Sequence, residues 1–347
     1  MSRISKTEKD KSLNGKYQPE QDWYALLRQH SEANFLQSPL WAQTHSLLGD
    51  HWGMKVIGKD GLVLMIVRDA KRGRYLEVSC GPLIDWNQPK LVTEAKKAML
   101  DVAKIHDCVF VRFRPQLADI SENRQILAKM GAQVAPMHLA AEHTVMIDLT
   151  KTEDELMADM RRQTRYEVRK AGRQGIIVEH GNSEELFREF HAVQAKTAAR
   201  QHFVPPDLDT LLAERKAFGD KAQIYVAYTS EEEGKKPIAY GLILGYGEEA
   251  DYYEAASTEL NRKYSGAYAI QWQAMRDLKQ QGYKRYNLWG IAPPDQPEHR
   301  YAGVTTFKKG FGGEVINYVP AHDLVLNKAK YMLNVAVETV RKKARHL

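Results

Sequence analysis

Twice along its length this chain runs through the same order of patterns: short apolar strands, a long helix, then one more strand. In the first half, 54–57, 62–68 and 75–79 have strand character, with turn residues between them. A helical pattern over 88–106 follows Gly81-Pro82, then a strand over 108–113, a helix over 125–131 and a strand over 142–149. From Ile177 the order returns: a strand, helices over 184–199 and 208–218, strands over 224–228, 238–245 and 251–255, a helix over 267–281, and the uncharged strand Tyr286-Asn-Leu-Trp-Gly-Ile291. Strands that alternate with helices in this way give an α/β fold with mixed sheets. The repeated order predicts duplication of one such unit, and 347 residues are enough for about two domains with substantial cores.

Smaller signals place the other elements. A short helix is expected over 23–35, and Ser38-Pro39 supplies an N-cap and a first-turn proline for a helix over 39–48. The strongest helical signal runs over 153–174. Thr152 and Glu155 form a capping box, Gly175 provides the stop, and Leu156, Met160, Thr164, Val168 and Ala171 fall on one face. Its acids come first and its bases (Arg161, Arg162, Arg165, Arg169, Lys170, Arg173) crowd the end. The helix dipole favours that order, yet six bases in 13 residues exceed what the dipole asks, so binding of an anion stands beside it. A last helix, from Leu326, has apolar residues at Ala329, Met332, Leu333, Ala336, Val337 and Val340. It is expected to dock on the first domain and end in a solvated basic tail.

Charge and composition narrow the function classes. Fifty Lys and Arg against 44 Asp and Glu give +6, and the pI is about 9.0, which suits anionic partners such as nucleic acid, nucleotide diphosphates or an anionic membrane surface. Cys80 and Cys108 lack CxxC spacing, so neither a disulfide framework nor a zinc site is expected. His138 and His143 do not have metal-ligand spacing. The polar start, residues 1–18, has no apolar core of a leader and is expected to be disordered; no apolar run is long enough to span a membrane. The expectation is a cytoplasmic protein.

Two stretches carry possible chemistry. In Phe307-Lys-Lys-Gly-Phe-Gly-Gly313, two lysines lie among phenylalanines before a glycine pair that permits a sharp turn. Such lysines are either splayed into solvent or drawn into a pocket that needs charge. In Asn261-Arg-Lys-Tyr-Ser-Gly-Ala-Tyr268, a glycine opens a helix whose free N–H groups could hold phosphate. That stretch resembles a degraded coenzyme A pyrophosphate loop, with Ser265 at the first glycine position; an empty helix start is the plain alternative.

Four segments in register resemble the Fem family of peptidoglycan-bridge aminoacyltransferases. They are Phe35-Leu-Gln-Ser-x-x-Trp41; Thr164-Arg-Tyr-x-x-Arg-Lys170 with Gly175; Ala255-x-Ser257 with Tyr264 and Tyr268; and Tyr286–Ile291 with Gly303 and Phe307–Gly313. The resemblance covers about residues 20 to 335. It implies two acetyltransferase-like (GNAT) domains, 19–150 with 318–347 and 151–317. It also implies transfer of an amino acid from aminoacyl-tRNA to an amine on the stem peptide of a muramyl precursor, nucleotide-linked (UDP) or lipid-linked. No coiled-coil insertion fits in 183–218, as in the shorter, alanyl-adding members. An aminoacyl ester is already activated, so no cofactor or metal is needed; the enzyme orients an amine and stabilises an oxyanion. The resemblance assigns to Lys308 either that stabilisation or neutralisation of the leaving tRNA hydroxyl, and leaves Lys309 solvated. It gives Thr164, Arg165, Arg169 and Lys170 the acceptor diphosphate, and makes Tyr252, Tyr268 and Trp289 candidates to line the cleft, with core packing the alternative for Trp289.

Three positions depart from the family pattern: His45 where a lysine is usual, Arg114 where an acid is usual, and Glu254 where an aromatic is common. The expectation is that Arg114 supplies the charge missing at His45, both touching the acceptor. The protein is expected to be a monomer, with an attraction to the inner membrane surface as a secondary feature. An acyl-CoA-dependent N-acyltransferase and a non-catalytic binder of tRNA or precursor are the alternative readings.

Overall fold

The computed structural model describes residues 20–201, 204–294, 296 and 298–344; the expected disordered tail over 1–18 lies outside the described residues. The chain divides into two compact units, residues 1–142 with 317–347 and residues 143–316.

In the first unit, helix α1 (Glu20–Leu27) is shorter than the pattern over 23–35, because the chain turns and re-enters as a 3-10 turn, Phe35–Gln37, capped by Asn34. Helix α2 (Pro39–Leu48) is capped by Ser38, whose side chain accepts from Trp41 N. Strands β1 (His51–Ile57), β2 (Gly61–Arg68) and β3 (Tyr75–Ser79) follow, then α3 (Pro89–Ile105), β4 (Phe110–Arg114), α4 (Ser121–Lys129) and β5 (Gln133–Val134).

The second unit holds β6 (His143–Asp148), α5 (Glu153–Asp159), α6 (Arg162–Arg173), β7 (Ile177–Gly181), α7 (Glu184–Gln201), α8 (Leu208–Phe218), β8 (Ala222–Tyr228), β9 (Pro237–Tyr246), β10 (Glu249–Ser257), α9 (Gly266–Gln280), β11 (Arg285–Gly290) and α10 (Ala302–Lys309). Strand β12 (Glu314–Asn317) joins its sheet, and β13 (His322–Val325) with α11 (Lys328–Ala344) returns to the first unit. The sequence patterns had missed β5, β12 and β13. All three are short, and strands of two to four residues carry too few alternations to be read.

The sheets are ordered β1-β2-β3-β4-β13-β5 and β12-β6-β11-β10-β9-β8-β7. Each has antiparallel pairs and a parallel pair, β3 with β4 and β10 with β11, bridged by a crossover helix, α3 or α9. Separate cores sit on these sheets: Val63, Leu76, Met99, Val111 and Phe113 in the first unit; Ile147, Ile243, Ala274, Met275, Tyr286 and Leu288 in the second.

Two expectations over the second unit need correction. The helix over 153–174 is two helices. The capping box is present, with Thr152 N donating to Glu155 Oε2 at 2.7 Å and Glu155 N to Thr152 Oγ1 at 3.2 Å. At Met160 and Arg161 the backbone becomes extended, with ψ of 144° and 145°. No glycine or proline announces this break. Its cause is tertiary: Arg161 N donates to Gly310 O at 2.8 Å, and the Arg165 guanidinium donates to the freed carbonyls of Ala158 and Met160. The five-residue face survives the break, and Leu156, Met160, Thr164, Val168 and Ala171 are all buried. The second correction concerns Phe307-Lys-Lys, which ends a helix, α10, where the sequence patterns placed none. The turn comes later, at Gly312 and Gly313, whose φ values are 83° and 80°.

Candidate active site

Strands β10 and β11 pair in parallel only over Glu249–Arg285, Ala250–Tyr286 and Asp251–Asn287. Beyond that point they part, and local irregularities account for it. Strand β10 has a register shift against β9 between Tyr252 and Glu254, and β11 has one against β6 between Asn287 and Gly290. Within the second, Trp289 sits in the left-handed region at φ 61°. That conformation is costly for a bulky residue. Thr144 and Asn287 hold it: Trp289 N donates to Asn287 Oδ1 at 2.9 Å, and Thr144 Oγ1 donates to Trp289 O at 3.1 Å. Trp289 also meets Tyr253 edge-on, ring centroids 5.6 Å apart.

Lys308, on α10, reaches this parting. Its side chain is 8% exposed, Nζ donates to Gly290 O at 2.8 Å, and the ammonium lies 5.8 Å from the centroid of the Tyr252 ring. Lys309, one residue on, is exposed. Burial pulls the Lys308 ammonium down to about 7, against the pull of Glu254 in the other direction. Glu254 is displaced the opposite way. Burial pushes its carboxyl up to about 7, opposed by Lys308 and by Gln194, whose Nε2 donates to Glu254 Oε2 at 2.7 Å. An acid and a base thus share a pKa near neutrality. Behind them Glu214 of α8 is fully buried with Oε2 unpartnered, and burial, then Glu254 and Asp207, push it well above the carboxylate range.

The sequence-expected residues fall into three groups. Thr164, Tyr252, Tyr268 and Lys308 gather around α10 and its glycine turn. Thr164 is buried with Oγ1 unpartnered, and lies so close to Gly310 that a Cβ there would come within 2.3 Å of that oxygen. Tyr268 packs edge-on against Phe307 at 5.0 Å and near Phe311 at 5.8 Å. Burial, then Glu167, raises its phenol, with Arg161 opposing.

The second group is on α6 and differs residue by residue. Arg169 is exposed, Lys170 is half-buried 3.5 Å from Glu167 Oε2, and Arg165 spends Nη1 on the carbonyls at the break. The third group, His45 and Arg114, lies in the first unit. His45 Nδ1 is 2.7 Å from Asp50 Oδ2, which Arg68 also binds at 3.1 Å, while its buried Nε2 is unpartnered. Arg114 is buried, donates from Nη1 to Gln116 Oε1 at 2.7 Å and from Nη2 to Cys80 Sγ at 2.6 Å, and lies over the Tyr318 ring at 4.9 Å.

Glu254 was visible in the sequence only as a departure from a family pattern, not as a site residue. Gln194 and Glu214 gave no signal, since polar residues on amphipathic helices are ordinarily solvated. The helix start at Ser265-Gly266 is closed by the protein itself: Ser265 N donates to Gln174 Oε1 and Ala267 N to Asn261 Oδ1, each at 3.2 Å. A cavity of about 900 Å³ in this unit is lined by Lys151, Asp159, Lys284 and Arg285 together with Phe311, Gly312 and Gly313 of the glycine turn.

Residues 19–233 and 229–339 match the FemAB family. The chain is 21% identical over 352 residues to the "Aminoacyltransferase FemA" of Staphylococcus aureus (strain N315), across 77% of this chain and 83% of that protein. The crystal structure of FemX is similar with a TM-score of 0.81 at 16% identity, covering 92% of this chain and 99% of its own. A tandem GNAT protein from the clavulanic acid biosynthesis pathway gives a TM-score of 0.55 at 10% identity, over 88% of this chain and 94% of its own. These likenesses establish the fold as a pair of acetyltransferase-like units. With a family match along nearly its whole length, the chain belongs to the FemAB family.

Proposed function

We propose that this protein is an aminoacyltransferase that moves an amino acid from aminoacyl-tRNA to an amine on the stem peptide of a peptidoglycan precursor. The FemA and FemX likenesses support the reaction class. The observation that carries the reading to residues is the buried Lys308–Glu254 pair where β10 and β11 part. Aminolysis of an ester needs a neutral amine, a stabilised oxyanion and a protonated leaving oxygen. A carboxylate with a pKa near 7 is half-charged at neutral pH and can take the proton of the attacking amine. An ammonium with a pKa near 7 can stabilise the oxyanion and give its proton to the departing ribose oxygen.

The step balances as follows. The N–C bond forms and the ester C–O bond breaks; the amine proton goes to Glu254 and the ribose oxygen takes one from Lys308. Transfer from Glu254 back to Lys308 resets both groups at little free-energy cost, because their pKa values are nearly equal. Gln194 holds the carboxylate in place as a positioning residue, and Gly290 O holds the ammonium.

Thr164, Arg169, Lys170 and Tyr268 are proposed to receive the acceptor, Arg169 as the free guanidinium for a diphosphate. Arg165 serves the break in the helix before it serves a ligand. His45 and Arg114 are proposed as ligand contacts within the first unit, where the buried His45 Nε2 and Arg114 Nε are unpartnered. The acceptor is UDP-linked or lipid-linked, and the protein works as a monomer in the cytoplasm without a cofactor. The acyl-thioester reading loses support at the α9 start, where Gln174 and Asn261 already occupy N–H groups that a pyrophosphate would need. The test is labelled transfer from charged tRNA to a muramyl pentapeptide. Ribonuclease is expected to abolish it, and transfer that survives ribonuclease and follows added acyl-CoA would reverse the assignment.

A further inference from the structure

Helix α11 is turned the opposite way from an ordinary surface helix. Its inward face is held by polar contacts: Tyr331 OH donates to Asp323 Oδ2 at 2.8 Å, Arg72 Nε to Asn334 Oδ1 at 3.0 Å, and Arg112 Nη2 to Glu338 Oε2 at 2.9 Å. Arg112 in turn forms two bonds to Asp323, at 2.9 and 2.8 Å, and Tyr331 packs on Phe110 at 5.4 Å. The outward face is apolar. Met332 is 64% exposed, Leu333 58% and Val340 67%, with Ala329 and Ala336 exposed between them. At 3.6 residues per turn these five positions fall in an arc of about 100°, opposite Tyr331, Asn334 and Glu338.

The charge around the stripe has one sign. Residues 328–347 contain six Lys and Arg (Lys328, Lys330, Arg341, Lys342, Lys343, Arg345) against one acid, Glu338, which is paired with Arg112. Lys328, Lys330 and Lys342 are exposed. Four occupants of such a stripe can be weighed. A second copy of α11 would bring like charge against like charge. Residues 1–19 bring five more bases (Arg3, Lys6, Lys9, Lys11, Lys16) and few apolar side chains. Nucleic acid would use the bases but leave the methyl and isobutyl groups unburied. An anionic lipid surface satisfies both features: it accepts an apolar stripe at the headgroup boundary and meets flanking bases with phosphate.

We propose that the outward face of α11 docks on an anionic phospholipid surface, with Met332, Leu333 and Val340 entering the headgroup boundary and the exposed Lys328, Lys330 and Lys342 on lipid phosphates. The inference does not depend on the aminoacyl-transfer reading. No described helix is long and apolar enough to cross a membrane, so the contact is peripheral.

The test is sedimentation of the full chain with vesicles of equal parts phosphatidylglycerol and phosphatidylcholine, against phosphatidylcholine alone. Partition is expected on the anionic vesicles, to weaken in high salt, and to fall at least about tenfold in the Met332→Ser/Leu333→Ser double variant. Because both side chains are exposed, the variant is expected to keep the thermal midpoint of the parent, which shows that it folds. Absence of partition, or partition undiminished by the double substitution, overturns the proposal. So does a self-association in solution, or a tRNA affinity, that the same substitutions abolish while vesicle binding persists.

Discussion

Burying Lys308 and Glu254 lowers the stability of the protein near neutral pH, and the sign follows from their shifts. The native Lys308 binds its proton less tightly than an unfolded lysine, so between about 7 and its ordinary value of 10.5 the unfolded chain holds more protons and stability rises with pH. The native Glu254 binds its proton more tightly than an unfolded glutamate, so between its ordinary value of 4.5 and about 7 stability falls with rising pH. The pair's contribution is therefore least favourable near pH 7, where the reaction needs it. We expect the Lys308→Met/Glu254→Gln double variant to be inactive yet equal to the parent in stability at pH 7, or more stable by about 1–4 kcal/mol. Denaturant unfolding checks this, and a clear loss of stability would show that the pair is a structural ion pair. In rate measurements, the active form has Glu254 ionised and Lys308 charged, so the profile should peak near pH 7 and fall on both sides. Lys308→Ala is expected to lower the rate by about 10²–10³-fold. Glu254→Gln should remove the acid limb of whatever activity remains, and an unchanged acid limb would take Glu254 out of the proton path.

Among the elements, the break between α5 and α6 separates the two roles that six clustered bases left open. Arg165 closes carbonyls at the break, so Arg165→Ala is expected to destabilise the protein by about 1–2 kcal/mol and to reduce activity through that loss. Arg169 is exposed on the same helix, so Arg169→Ala should leave the melting temperature unchanged and raise KM for the acceptor several-fold. Equal effects on melting temperature from the two substitutions would contradict the division. The glycine turn after α10 is the other sensitive element. A Cβ at Gly313 would lie 2.4 Å from Met146 O at a φ of 80°, so Gly313→Ala should destabilise by more than about 1 kcal/mol, seen as a lowered denaturant midpoint. Local chemistry made parts of these elements legible in advance: the capping box at Thr152, the proline at 39 and the apolar face from Leu156 to Ala171 are all signals carried by neighbours in sequence. The break at Met160 and the helical state of Phe307-Lys-Lys were not legible. Both depend on the contact of 159–161 with 310–312, about 150 residues away in the chain.

For the whole molecule, the repeated order of strands and helices was enough to anticipate two mixed sheets, because strand and helix periods are local properties. The chemistry of the site was legible only in part. Lys308 stood out through its uncharged approach and a family pattern, but the burial that tunes it comes from strands that part by register shifts no local pattern records. Glu254, Gln194 and Glu214 come from β10, α7 and α8, and their convergence is a property of the folded unit. The central claim is the transfer itself. The most direct measurement incubates the protein with a mixture of charged tRNAs and a muramyl pentapeptide, UDP-linked in one arm and lipid-linked in the other, and weighs the products. The account predicts a gain of one aminoacyl residue on one acceptor, lost with Lys308→Ala and on ribonuclease treatment; no gain on either acceptor, or a gain indifferent to ribonuclease, would contradict it.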